Sequence, residues 1–97
     1  MIRILVAEDF DLLREDLCDI LNQQPDMTVA GSAGSGRDIE ALALSTECDL
    51  ILMDIEMETT TAGIRATEHI LEQKPGLKVI FLTAHETDNM ILTSMGA

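Results

Sequence analysis

Four oxygen-bearing side chains stand directly after short apolar runs. Glu8 and Asp9 follow Ile-Leu-Val-Ala, Asp54 follows Leu-Ile-Leu-Met, and Thr83 follows Val-Ile-Phe-Leu. Apolar runs this short, closed by a polar residue, predict strands buried on both faces, as a parallel sheet requires. A residue that closes such a strand lies at the carboxyl edge of the sheet, where open α/β sheets bind ligands. Three carboxylates brought together there repel one another and need a cation. Hard oxygen ligands with room for water favour Mg²⁺. A metal-loaded carboxylate cluster beside a hydroxyl suits phosphoryl chemistry: the cation offsets phosphate charge, one carboxylate can attack phosphorus, and the hydroxyl can hydrogen-bond a phosphoryl oxygen. A solvated strand-end acid would account for one such residue, but less well for a pair after one strand and a third after another.

The elements that must position these residues follow from the pattern along the chain. Residues 2–7 read as the first strand. Leu13, Leu17, Ile20 and Leu21 fall on one helical stripe over residues 11–23, which Pro25 ends. Residues 27–31 read as a weaker second strand, 32–36 as a Gly/Ser/Ala loop, and 38–46 as a second helix. Residues 49–54 are the third strand, and 56–61 a polar loop. A third helix opens at Ala62 or Gly63, runs to about Gln73, and ends at Lys74-Pro75-Gly76. Residues 77–82 are the fourth strand, and 88–95 read as one more helix with Ile91 and Met95 on a shared face. Alternating strands and helices predict an α/β fold, a doubly wound parallel sheet of order 2-1-3-4 forming one domain over 1–97. Strands one and three are then neighbours, and Glu8, Asp9 and Asp54 converge. The pattern contains no fifth strand to cover the edge of strand four. An open edge is a liability, so the natural polypeptide is expected to be longer.

Composition sets the outer bounds. Apolar residues make up 46 % of the 97, enough for a core, while two Phe and no Trp or Tyr make that core aliphatic. Eighteen acidic against six basic residues give a net charge of −12. This disfavours nucleic acid and anionic membrane as direct partners and suits a metal cation or a basic protein surface. No apolar run approaches the roughly 20 residues of a membrane span, and Met1 leads into a strand without the basic stretch of a signal peptide. Cys18 and Cys48 read as reduced, partly buried thiols of a cytosolic protein. Gly31, Gly34 and Gly36 match neither dinucleotide-binding nor P-loop spacing and read as a flexible connection. His69 reads as a surface residue and His85 as part of a solvated loop. Met53, Met57, Met90 and Met95 read as gap-fillers or interface residues.

Ile-Leu-Val-Ala-Glu-Asp at 4–9, Leu-Ile-Leu-Met-Asp-Ile-Glu-Met at 50–57, Gly63, Val-Ile-Phe-Leu-Thr-Ala at 79–84 and Gly96-Ala97 together resemble the receiver domain of bacterial two-component response regulators. The resemblance implies a flavodoxin-like fold whose fifth strand and last helix lie beyond this chain. It implies a cytoplasmic phosphoacceptor rather than an enzyme. Asp54 would accept a phosphoryl group from the phosphohistidine of a sensor histidine kinase. Mg²⁺ would be held by Glu8, Asp9, Asp54 and the backbone carbonyl of Glu56. Thr83 would contact the phosphoryl group and shift inward, changing a protein-binding face and a downstream output such as transcription; a homodimer is compatible with that role.

The sequence departs from the family pattern in three places. Glu58 stands where the family usually has Pro. Gly63 comes one residue late, which lengthens a Thr-rich loop. The family's Lys falls beyond Ala97, and Lys74 and Lys78 flank the opposite end of strand four. Two other readings compete. One is a haloacid-dehalogenase-type Mg²⁺-dependent phosphatase, partly mimicked by Asp54-Ile55-Glu56 and Thr83. The other is a docking module that keeps the fold without phosphorylation.

Overall fold

The computed structural model describes residues 1–54, 57, 61–84 and 90–95. The elements run β1 (Ile2–Ala7), α1 (Asp11–Asn22), β2 (Met27–Ala33), α2 (Gly36–Ser45), β3 (Leu50–Asp54), α3 (Ala62–Gln73), β4 (Lys78–Ala84) and β5 (Met90–Met95). The sheet has the order β2-β1-β3-β4-β5. Its first four strands are parallel, in the 2-1-3-4 order expected.

Side-chain alternation divides the sheet into two faces. On one, Leu5, Ala7, Ile51, Met53, Val79 and Phe81 pack with Ile39 and Ala43 of α2 and Ala66 and Ile70 of α3. The stripes on α2 and α3 follow the 3.6-residue period, so two helices suffice to seal this face. On the other, Ile4, Leu50, Leu52, Ile80 and Leu82 share an apolar groove of about 300 Å³ with Leu21 of α1 and Met27. The α1 helix has no fully buried residue: Leu13, Leu17 and Leu21 are half-buried, and Ile20, expected on the stripe, is 56 % exposed.

Two elements differ from the expectations. The β2 strand continues past the expected Gly31 through Ser32 and Ala33, which read as a loop. A register shift opposite Ile4 and Leu5 lets it do so: Ile4 pairs with Val29, but Leu5 pairs with Gly31. A bulge of this kind absorbs the extra residue and keeps the ladder going to Ala7↔Ala33. The helix expected over 88–95 is absent at 90–95, where the chain forms β5, antiparallel to β4 with Thr83↔Ile91 and Val79↔Met95 in register. The unpaired row of backbone groups along β4 is the physical reason. Pairing satisfies it, and a two-point helical period offers no comparable gain. The sheet therefore has an antiparallel fifth strand where four strands alone were expected.

Both cysteines are half-buried and unpaired, as read from the sequence, and burial pushes the Cys48 thiol up. Among the described residues no helix is long and apolar enough to cross a membrane.

Candidate functional site

The parallel register of β1 and β3 places Ala7 beside Met53. The next residue on each strand, Glu8 and Asp54, therefore emerges side by side at the carboxyl edge, with Asp9 adjoining. One carboxylate oxygen from each of Glu8, Asp9 and Asp54 lies within 4.8 Å of the other two. Their exposures differ: Glu8 is 5 % exposed, Asp54 is half-buried and Asp9 is exposed.

Glu8 carries the electrostatic cost. Its carboxyl is pushed up to about 8, first by burial, then by hydrogen bonding with the side chains of Asp54 and Asp9, and further by the charge of Asp54. The Phe10 backbone N–H donates to Glu8 Oε2 at 3.3 Å and pulls the other way. At neutral pH the cluster thus keeps a proton where three converged carboxylates would repel. A divalent cation can take the place of that proton. Three hard oxygens, one of them buried and disfavoured as a bare anion, form a donor set that fits Mg²⁺.

The neighbouring elements are built to hold this edge. Gly63, in the first turn of α3, packs against the backbone of Asp54. A Cβ at this position would lie 2.6 Å from the Asp54 carbonyl oxygen and 3.5 Å from Met57 Cε. The requirement is one of space: only a residue without Cβ lets α3 approach the end of β3 so closely. Thr67 Oγ1, fully buried, donates to the Gly63 carbonyl at 2.8 Å. Met57 is buried in the core, in agreement with its reading as a gap-filler.

Asp54 pairs in register with Leu82, so Thr83 is the next residue of β4 at the same edge. Glu56, whose carbonyl was expected to complete the metal ligands, lies outside the described residues, as do His85 and Glu58 to Thr60. His69 is an exposed residue of α3, and its Nδ1 faces Glu40 of α2 at 3.2 Å. Lys74 sits at the far end of the sheet, where its Nζ donates to the carbonyls of Ala43 at 2.6 Å and Thr46 at 3.3 Å. It caps the C-terminus of α2 and has no part in the acidic edge.

Sequence reasoning passed over Arg14. Its Nη1 donates to the Glu8 backbone carbonyl at 2.8 Å. The available signal was a lone base in the acid-rich start of α1, three residues after Asp11 and six after Glu8.

The model of the response regulator receiver domain matches residues 4–97. The uncharacterized transcriptional regulatory protein YxjL of Bacillus subtilis is 41 % identical over 96 residues, covering 99 % of this chain and 44 % of its own length. The transcriptional regulatory protein LiaR of the same organism is 37 % identical over 91 residues, covering 94 % of this chain and 43 % of its own. Among solved structures, the response regulator domain of Thermotoga maritima CheB superposes with a TM-score of 0.80 at 37 % identity, over 91 % of this chain and 66 % of that one. The chain spans less than half the length of these two curated relatives.

Proposed function

Because the chain belongs to the response regulator receiver domains, a family of phosphoacceptor signalling modules, we propose that Asp54 is its phosphoryl acceptor and that Glu8, Asp9 and Asp54 hold Mg²⁺. The observation that carries this reading is the convergence of the three carboxylates, with Glu8 buried among them. Asp54 is more accessible than buried Glu8 and, unlike Asp9, closes a central strand, which suits it to meet a donor. An oxygen of its carboxylate attacks phosphorus on the phosphohistidine of a sensor kinase. The P–N bond breaks, its electron pair returns to the imidazole, and an acyl phosphate forms on Asp54. Bound Mg²⁺ supplies charge neutralisation for the phosphoryl oxygens. Buried Glu8 orients the site, and Gly63 fixes the Asp54 backbone from behind. Thr83 follows Leu82, the register partner of Asp54, and in this reading it contacts the phosphoryl group and reports its presence to β4. The output is a shift between two populated conformations that alters a protein-binding face, with transcription as the downstream target in the longer protein. A cytoplasmic location and homodimerisation of that protein are part of the same proposal.

The family assignment favours a signalling domain over a haloacid-dehalogenase-type phosphatase, and the assembled acidic cluster weighs against a docking-only module. Intact mass after exposure to Mg²⁺ and acetyl phosphate tests the reading. One labile phosphoryl adduct is expected on the wild-type chain and none on Asp54→Asn; equal uptake by the variant would overturn the assignment of Asp54.

A further inference from the structure

The turn that carries Glu8 and Asp9 lacks the usual anchor of a helix entrance. The N-cap of α1 is Phe10, whose side chain cannot accept a backbone N–H, and no side-chain cap is made. Arg14 reaches back instead. Its Nη1 donates to the Glu8 carbonyl at 2.8 Å, and its Nη2 pairs with Asp11 Oδ1 at 2.7 Å. Gly34, just past the end of β2, makes room for this. A Cβ there would stand 2.9 Å from Nη1 and 3.8 Å from the Glu8 carbonyl oxygen. The guanidinium is thus seated between α1, the end of β1 and the β2–α2 turn, and only 22 % of the side chain is exposed.

Charge decides what Arg14 can do. A bare guanidinium beside a divalent cation would oppose binding. Asp11 offsets part of that charge in a short pair, and the directional hydrogen bond to the Glu8 carbonyl is what Arg14 contributes to the site. We propose that Arg14 is a positioning residue for the cation site: seated over Gly34 and paired with Asp11, it holds the Glu8 carbonyl and thereby sets the carboxylates of Glu8 and Asp9 for Mg²⁺. The proposal rests on the reading of the acidic cluster as a Mg²⁺ site.

Calorimetric titration of the 97-residue chain with MgCl₂ tests it, each variant being held well below its own unfolding midpoint. Arg14→Met is expected to weaken Mg²⁺ binding about tenfold, the lower end for residues that orient metal ligands. Arg14→Lys restores one donor but not the fork, and falls between Met and wild type. Gly34→Ala retains Arg14 but crowds its Nη1, and is expected to weaken binding about threefold, less than the roughly tenfold or more that follows outright loss of an orienting residue. That loss, with the charge and the side chain both intact, is what a merely electrostatic or packing role of Arg14 would not produce. If Arg14→Met does not fold, Arg14→Lys and Gly34→Ala still decide the matter. Wild-type affinity in these variants would overturn the proposal and leave the Mg²⁺ site standing; no Mg²⁺ binding by the wild-type chain would overturn the site and the proposal with it.

Discussion

The two ends of the sheet are built on opposite electrostatic terms. At the amino edge the charged side chains of Arg3, Asp49 and Lys74 each meet a partner of opposite polarity. The Arg3 backbone N–H donates to Asp49 Oδ2 at 2.9 Å, Arg3 Nε donates to the Glu47 carbonyl at 2.9 Å, and Lys74 closes the carbonyls at the end of α2. At the carboxyl edge three carboxylates face one another, and burial pushes the carboxyl of the most buried, Glu8, up to about 8. The first arrangement stabilises the folded chain under any conditions in which those groups stay charged. The second costs stability that a bound cation would offset, and in the proposed reading that cost couples the site to its ligand.

Glu8 is where this contrast breaks most clearly. Burial and the neighbouring carboxylates push its folded carboxyl up to about 8, above the ordinary 4.5. In the metal-free chain its contribution is therefore complete below about 4.5 and is lost as pH rises through about 8. Glu8→Gln cannot ionise, so the variant should gain on the wild type in metal-free denaturant melts between pH 6 and pH 9. Mg²⁺ should reverse the ranking, since the variant loses a ligand and at least about tenfold in Mg²⁺ affinity. A wild type whose metal-free stability relative to Glu8→Gln does not change over that pH range would contradict the frustrated-cluster picture.

Gly63→Ala acts on the same edge through sterics. A Cβ 2.6 Å from the Asp54 carbonyl must push α3 away from β3, at a cost of about 2 kcal/mol. Urea melts should show that loss, and phosphoryl uptake should fall as well because the Asp54 backbone moves. The matching change at the other edge is smaller. Lys74→Met leaves the carbonyls of Ala43 and Thr46 without their donor, at about 1 kcal/mol. It should lower the unfolding midpoint while the remaining folded chain takes up phosphate as the wild type does. A comparable loss of uptake in Lys74→Met would erase the distinction between the two edges.

The strands that build the site were legible because each is a continuous apolar run that stops at a polar residue; β1, β3 and β4 and the convergence of Glu8, Asp9 and Asp54 follow from that. The continuation of β2 was not, since Ser32 and Ala33 belong to a Gly/Ser/Ala stretch of loop-like composition and are drawn into the sheet past a bulge. Nor was β5. Whether Ile91 and Met95 lie on a helix or a strand depends on the free edge of β4, which is a tertiary property. Gly63 was singled out by its place in a motif, yet its reason, contact with the Asp54 carbonyl, appears only in three dimensions. Arg14 left only a faint signal, a lone base among acids, because its partner is a backbone carbonyl, which any residue at position 8 would supply.

The most direct test of the central claim is to locate the phosphoryl group. Reduction of the acetyl phosphate-treated chain with borohydride, followed by peptide mapping, converts an aspartyl phosphate to homoserine and marks its position. Homoserine at position 54 and nowhere else, dependent on Mg²⁺, is the expected result. Reduction at position 9, or at the carboxyl of Glu8, with Asp54 untouched would contradict it.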